Sequence, residues 1–116
     1  MQKTEELEIK IFELHAALCQ TLANPVRLRI LSALTDGEKS VNQLVERIGA
    51  PQANISQHLA VLRERNIVTT RREGVSIYYS IANPKIIKAC NIIREVLFEQ
   101  MVTTGELAKK YEQLTR

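Results

Sequence analysis

Apolar residues return at helical spacing over residues 4–22, where Leu7, Ile11, Leu14, Leu18 and Leu22 fall on one stripe. Asn24-Pro25 breaks that pattern and opens another, because Asn suits an N-cap and Pro a first helical position. A short helix carried by Val26, Ile30, Leu31 and Leu34 is expected to stop at Asp36-Gly37. Ser40 and Gln43 have capping-box spacing, so another short helix starts there and ends at Gly49. Ala50-Pro51 makes a turn, with Pro51 placed at the first position of a helix running to about Arg65. Ile55, Leu59 and Leu62 mark the buried side of that helix. The period then changes. Ile67 to Arg72 and Val75 to Ala82 are rich in Val, Ile, Thr and Tyr and read as two strands, with Glu73-Gly74 as the hairpin turn. Asn83-Pro84 opens a final helix whose stripe is Ile86, Cys90, Ile93, Leu97 and Met101. Thr103-Thr104-Gly105 breaks it, and a last short helix runs to about Leu114.

The order is helix, helix, helix-turn-helix, β-hairpin, helix, within 116 residues and one expected domain, 1–116. A domain this small has a modest core, and burial in a dimer would add to it. A hydrophobic share of 45% and a charged share of 25% fit a globular chain and exclude a disordered one. Aromatics are only 4%, with no Trp, which disfavours a binder that stacks single-stranded bases on aromatic platforms. The net charge of +3 suits a polyanionic partner, although many basic proteins bind no nucleic acid. Met1 to Lys10 is polar and Glu-rich without an apolar leader, and no segment approaches the roughly 20 apolar residues of a membrane span. The expectation is therefore cytoplasmic, with no membrane partner. Cys19 and Cys90 do not make a disulfide scaffold.

A short helix, a tight turn holding Gly49 and a second helix form an arrangement whose second helix can enter a major groove about 12 Å wide. With Ile55, Leu59 and Leu62 inward, a helical step of about 100° turns Ala53, Asn54, Gln57, Ala60 and Val61 outward, with Ser56 at the flank. Amides pair with adenine edges and methyl groups meet thymine methyls. No acidic residue lies between Arg47 and Arg63 to repel phosphate. Arg71 and Arg72, near the hairpin tip beside Gly74, add a basic element for the backbone or a minor groove.

The run Leu22-Ala23-Asn24-Pro25-Val26-Arg27-Leu28-Arg29-Ile30-Leu31 resembles the opening signature of the ArsR/SmtB winged-helix repressors. Ile55-Ser56-Gln57-His58-Leu59 with Leu62-Arg63, and Val75 to Tyr79, resemble later motifs of that family in the same order, and the match covers residues 7 to 100. The resemblance implies a mainly α winged helix-turn-helix with a small β-hairpin. In it, residues 4–22 and 84–114 are dimerisation helices, 40–65 the helix-turn-helix and 67–82 the wing. It implies a homodimer on double-stranded operator DNA, released by an inducer. The expected DNA-binding set is Ser40, Gln52, Asn54, Ser56, Gln57, His58, Arg63, Arg71 and Arg72. Repression rather than activation comes from the resemblance alone.

What would be sensed is narrowed mainly by exclusion. One family metal site uses Cys-Val-x-Asp where this chain has Ser40, Val41, Asn42 and Gln43, whose hydroxyl and amides do not replace a thiolate and a carboxylate. A second uses Asp-x-His and a later His pair, and no His follows His58 here. Two-Cys switches of sulfide- and peroxide-responsive relatives fall at Ser32 and about Glu99. Cys19 and Cys90 thus remain as a different candidate sensor for redox, sulfur species or a thiophilic ion, or as small core residues. His15 lies one helical turn before Cys19, so a metal set of His15, Cys19 and Cys90 is geometrically open, although two ligands at that spacing occur often by chance. His58 reads as structural or phosphate-facing. Arg71 and Arg72 read alternatively as solvated hairpin charges, and the amides as solubilising groups, with DNA contact the favoured reading of both. Glu5, Glu6 and Glu8 suit a helix start. No cofactor is expected, and with no Gly-rich phosphate loop or Ser/His/Asp order the chain does not read as an enzyme. The competing readings are a winged-helix protein-interaction module and a repressor with no cysteine-based sensing.

Overall fold

A long helix, α1 (Lys3–Leu22), ends where Asn24 starts the next. The structure, a computed structural model, describes residues 2–105, 109–110 and 112–113, in two units, Met1–Asn83 and Pro84–Arg116. Asn24 Oδ1 accepts from the backbone N–H of Val26 (2.9 Å) and Arg27 (3.2 Å), and Pro25 takes the first turn of α2 (Pro25–Ala33). A two-residue strand, β1 (Lys39–Ser40), leads into α3 (Val41–Ile48). Both halves of the capping box form there: Gln43 N–H donates to Ser40 Oγ (3.2 Å) and Ser40 N–H to Gln43 Oε1 (2.8 Å). Gly49 closes α3 at φ 79°, a left-handed conformation that glycine adopts without the Cβ penalty.

Next come α4 (Gln52–Glu64), β2 (Val68–Glu73), β3 (Ser76–Ile81) and α5 (Pro84–Thr104). Pro51 is the N-cap of α4 rather than its first helical residue. Its ψ of 145° is extended, and its carbonyl accepts the first helical bond, from Ile55. After α4, Asn66 takes φ 61°, a position Asn tolerates better than most residues.

The sheet order is β1-β3-β2, antiparallel throughout. β1 was not expected. Two residues carry no readable alternation, and only the pairing of Lys39 with Tyr79 and Ser40 with Tyr78 makes them a strand. The hairpin turn also lies one residue later than the sequence suggests. Glu73 pairs with Ser76, so the loop is Gly74-Val75, with Gly74 (φ 63°) at the first central position, where a positive φ is needed.

The core of the first unit joins α2, α3, α4 and the base of the hairpin. Ile30, Leu31, Leu44, Ile55, Leu59, Leu62 and Val68 are its fully buried side chains. Each such side chain contributes about 1.5–3 kcal/mol relative to exposure. Outside this core the expected stripes divide. On α1, Leu18 and Leu22 are half-buried, whereas Leu7, Ile11 and Leu14 are exposed together with Ile9 and Phe12. On α5, Cys90 is buried and Ile86 and Met101 are half-buried, but Ile93 and Leu97 lie exposed beside Ile92 and Val96. An i, i+3, i+4 pattern locates an apolar face, but not how much of it the same chain covers. The expected short helix up to Leu114 falls largely outside the described residues. Among the described residues, no helix is long and apolar enough to cross a membrane.

Candidate nucleic-acid interface

The register of α4 follows from Ile55, Leu59 and Leu62, each 0% exposed. With those three facing inward, Gln52, Ala53, Asn54, Ser56, Gln57, Ala60 and Arg63 are exposed. Val61, expected outward, is instead half-buried and lines a small cavity with Thr21, Arg27 and Arg65. It sits a step too far round the helix. From Gln52 to Ala60 the presented groups are therefore amides, a hydroxyl and methyls, a set that suits base edges, with Arg63 and Glu64 at the end of the helix. Among the described residues no side chain caps the first turn of α4, so its N–H groups stay open to an anion such as phosphate.

Two arginines of the second helix hold this unit in place. Arg29 Nη2 donates to the Ile48 carbonyl (2.9 Å) at the end of α3. Arg27 Nη1 donates to the Thr21 carbonyl of α1 (3.0 Å), and its Nε donates to His58 Nδ1 on α4 (3.1 Å). His58 is thus a neutral acceptor at a junction of three helices, and burial, then the Arg27 charge, pushes its pKa down. Ser40 is likewise engaged, its hydroxyl accepting from Gln43 as the cap of α3. The roles of Arg27 and Arg29 were missed in the sequence. An Arg-x-Arg pair on a helix has no pattern that tells a solvated charge from a carbonyl clamp.

The two hairpin arginines are not equivalent. Consecutive strand residues point to opposite faces. Arg72 pairs with Ile77 and shares the face of buried Val68, whereas Arg71 pairs with Tyr78 on the other face. Arg71 Nη2 and Nε donate to Glu38 Oε1 (2.6 Å) and Oε2 (3.1 Å), and Nη1 donates to Glu73 Oε2 (3.0 Å). Its guanidinium carbon lies 4.9 Å from the centre of the Tyr78 ring. The hydrogen bonds from Arg71 hold the Glu38 carboxyl below its usual range, while the two carboxylates raise Arg71. Arg71 is therefore internally paired, and Arg72 is the exposed arginine left on the hairpin. A groove of about 380 Å³ runs between the hairpin and the starts of α3 and α4, lined by Ser40, Asn42, Gln52, Val75, Ile77 and Tyr79 among others. It sets the first turn of α4 beside the hairpin.

The remaining candidates lie elsewhere. Cys19 is exposed on α1, and Cys90 is buried on α5. Among the described residues, no group of three or more His, Cys, Asp or Glu is placed to hold a metal ion.

Residues 24–70 match the family described as "Bacterial regulatory protein, arsR family". The chain is 40% identical over 88 residues to the uncharacterized HTH-type transcriptional regulator Rv0081 of Mycobacterium tuberculosis, covering 75% of this chain and 77% of that protein. It is 38% identical over 96 residues to the biofilm growth-associated repressor of Xylella fastidiosa, covering 83% of each. Its fold superposes on the solution structure of Mb0332 from Mycobacterium bovis, described as a homodimeric winged helix-turn-helix DNA-binding domain. The TM-score there is 0.75 at 28% identity, over 87% of this chain and 94% of that one.

Proposed function

The chain belongs to the arsR family of bacterial regulatory proteins and is a DNA-binding transcriptional regulator rather than an enzyme; we propose that it is a cytoplasmic homodimeric repressor that reads operator DNA with α4. The carrying observation is the exposed face of α4, free of acidic residues from Gln52 to Arg63, beside a groove shared with the wing. Asn54, Ser56 and Gln57 would meet base edges. Gln52, Arg63 and Arg72 would meet the backbone, with the open first turn of α4 adding backbone N–H donors. Ser40, His58 and Arg71 then serve by holding those elements rather than by touching DNA.

Dimerisation is supported by the exposed apolar side chains of α1 (Leu7, Ile11, Phe12, Leu14) and of α5 (Ile92, Ile93, Val96, Leu97). Such surface is costly to leave in water and marks a partner face. A dimer places two α4 helices on half-sites about one helical turn apart, or a multiple of it, of a pseudo-palindrome. Repression is supported by the relatives named as repressors. A thiol-reactive inducer acting at Cys19 and Cys90 is supported by the exposure of Cys19. The burial of Cys90 favours a second reading, in which the cysteines pack and the signal acts elsewhere.

Fluorescence anisotropy of the protein on the duplex it enriches from a random-sequence pool tests this. Tight binding that weakens steeply with salt supports the repressor reading. Binding indifferent to salt, or none, favours a protein-interaction module. Release by a disulfide oxidant or persulfide that Cys19→Ser abolishes assigns the signal to the thiol. Identical binding in both states assigns the cysteines to packing.

A further inference from the structure

Arg71 rises from β2, crosses the central strand β3 over the Tyr78 ring, and lands on Glu38 at the far edge of the sheet. All three guanidinium nitrogens are engaged, Nη2 and Nε by Glu38 and Nη1 by Glu73. The contact joins residues 33 positions apart. Glu38 precedes β1, and β1 runs directly into the Ser40 cap of α3. The strap therefore links the wing to the start of the helix-turn-helix, where β1 supplies only two paired residues. The buried base of the hairpin at Ile67 and Val68 and the two β1 pairs hold it at one end, and the strap adds a tie further out along β2. A side-on, two-oxygen Arg–carboxylate contact fixes orientation as well as distance.

We propose that Glu38 is a positioning residue for DNA binding: through Arg71 it holds the wing at the angle from which Arg72 and α4 engage one duplex together. The proposal rests on the repressor reading above and deepens it. Preorganisation of this kind improves affinity by lowering the ordering cost of binding. Because the strap is solvent-exposed, its effect is modest.

The test is anisotropy on the enriched duplex across a salt series, with Glu38→Gln, Arg71→Gln and the double variant, each confirmed folded by circular dichroism. Each single change is expected to weaken binding about three- to fivefold, with the double no weaker than either single, since all remove one strap. The slope of log K against log salt should stay that of the parent, because Arg71 neutralises carboxylates rather than phosphates. Two results overturn the proposal. One is a slope lowered by about 0.9 per half-site in Arg71→Gln, with tighter binding in Glu38→Gln, which makes Arg71 a phosphate ligand restrained by Glu38. The other is parent-like affinity in Glu38→Gln. A parent that binds no duplex removes the repressor reading and the strap with it.

Discussion

The proposed recognition helix α4 and the wing carry different kinds of residue and hold them in different ways. Between Gln52 and Arg63 the helix has no acidic residue, and its polar side chains Gln52, Asn54, Ser56 and Gln57 stand exposed. The wing is the more charged element, with Arg71, Arg72 and Glu73 in succession, yet one of its two arginines is taken up by Glu38 and Glu73. Charge counted in a sequence is therefore not charge offered to a ligand. On the proposed reading α4, charged only at Arg63 and Glu64 near its end, offers more to DNA than the charged hairpin, because a side chain already paired must give up a partner before it can take a phosphate.

The largest effect would abolish the contrast altogether. Ile55 is 0% exposed at the core of the helix-turn-helix, so Ile55→Ala should cost about 2–5 kcal/mol in urea unfolding and lower operator binding through loss of fold. A loss under about 0.5 kcal/mol would mean that α4 is not held as described.

Gln57→Ala and Arg72→Ala sharpen the contrast from either side. Removing the Gln57 amide should weaken the enriched duplex by about 1–3 kcal/mol while leaving mixed-sequence DNA unchanged. Equal binding by parent and variant would put the recognition register elsewhere on α4. Arg72→Ala should weaken all sequences alike and lower the salt slope by about one per wing. A sequence-selective loss there would make Arg72 a base reader.

The smallest effect concerns how α4 is anchored. Burial, and then Arg27, keeps His58 below its ordinary pKa, so the folded state holds a proton less readily than the unfolded chain. Stability owed to neutral His58 is present above the unfolded value of about 6.5 and is lost as pH falls toward the folded one. The parent should lose slightly more thermal stability than His58→Gln between about pH 7.5 and pH 5. Parallel curves would show that protonation leaves the Arg27 junction intact.

Much of the helix-turn-helix was legible because local chemistry and tertiary demand coincide. Asn24-Pro25, the Ser40/Gln43 box, Gly49 and the Ile55, Leu59, Leu62 spacing each specify a cap, a stop or a face within a few residues. The wing was legible as a hairpin but not in its register. Gly74 marks a turn and leaves open whether it stands first or second in the loop, which strand pairing decides.

The chain by itself determined the order of the main helices and the hairpin, the buried side of α4 and the family to which it belongs, since these depend on periodicity, capping and short motifs. Tertiary structure alone decided that Arg27 and Arg29 clamp carbonyls, that His58 accepts from Arg27, and that Arg71 and Arg72 divide into a strap and an exposed charge. The physical reason is distance along the chain. Glu38 and Arg71 stand 33 residues apart and Arg27 and His58 stand 31 apart, and only the sheet and helix packing bring their side chains within reach.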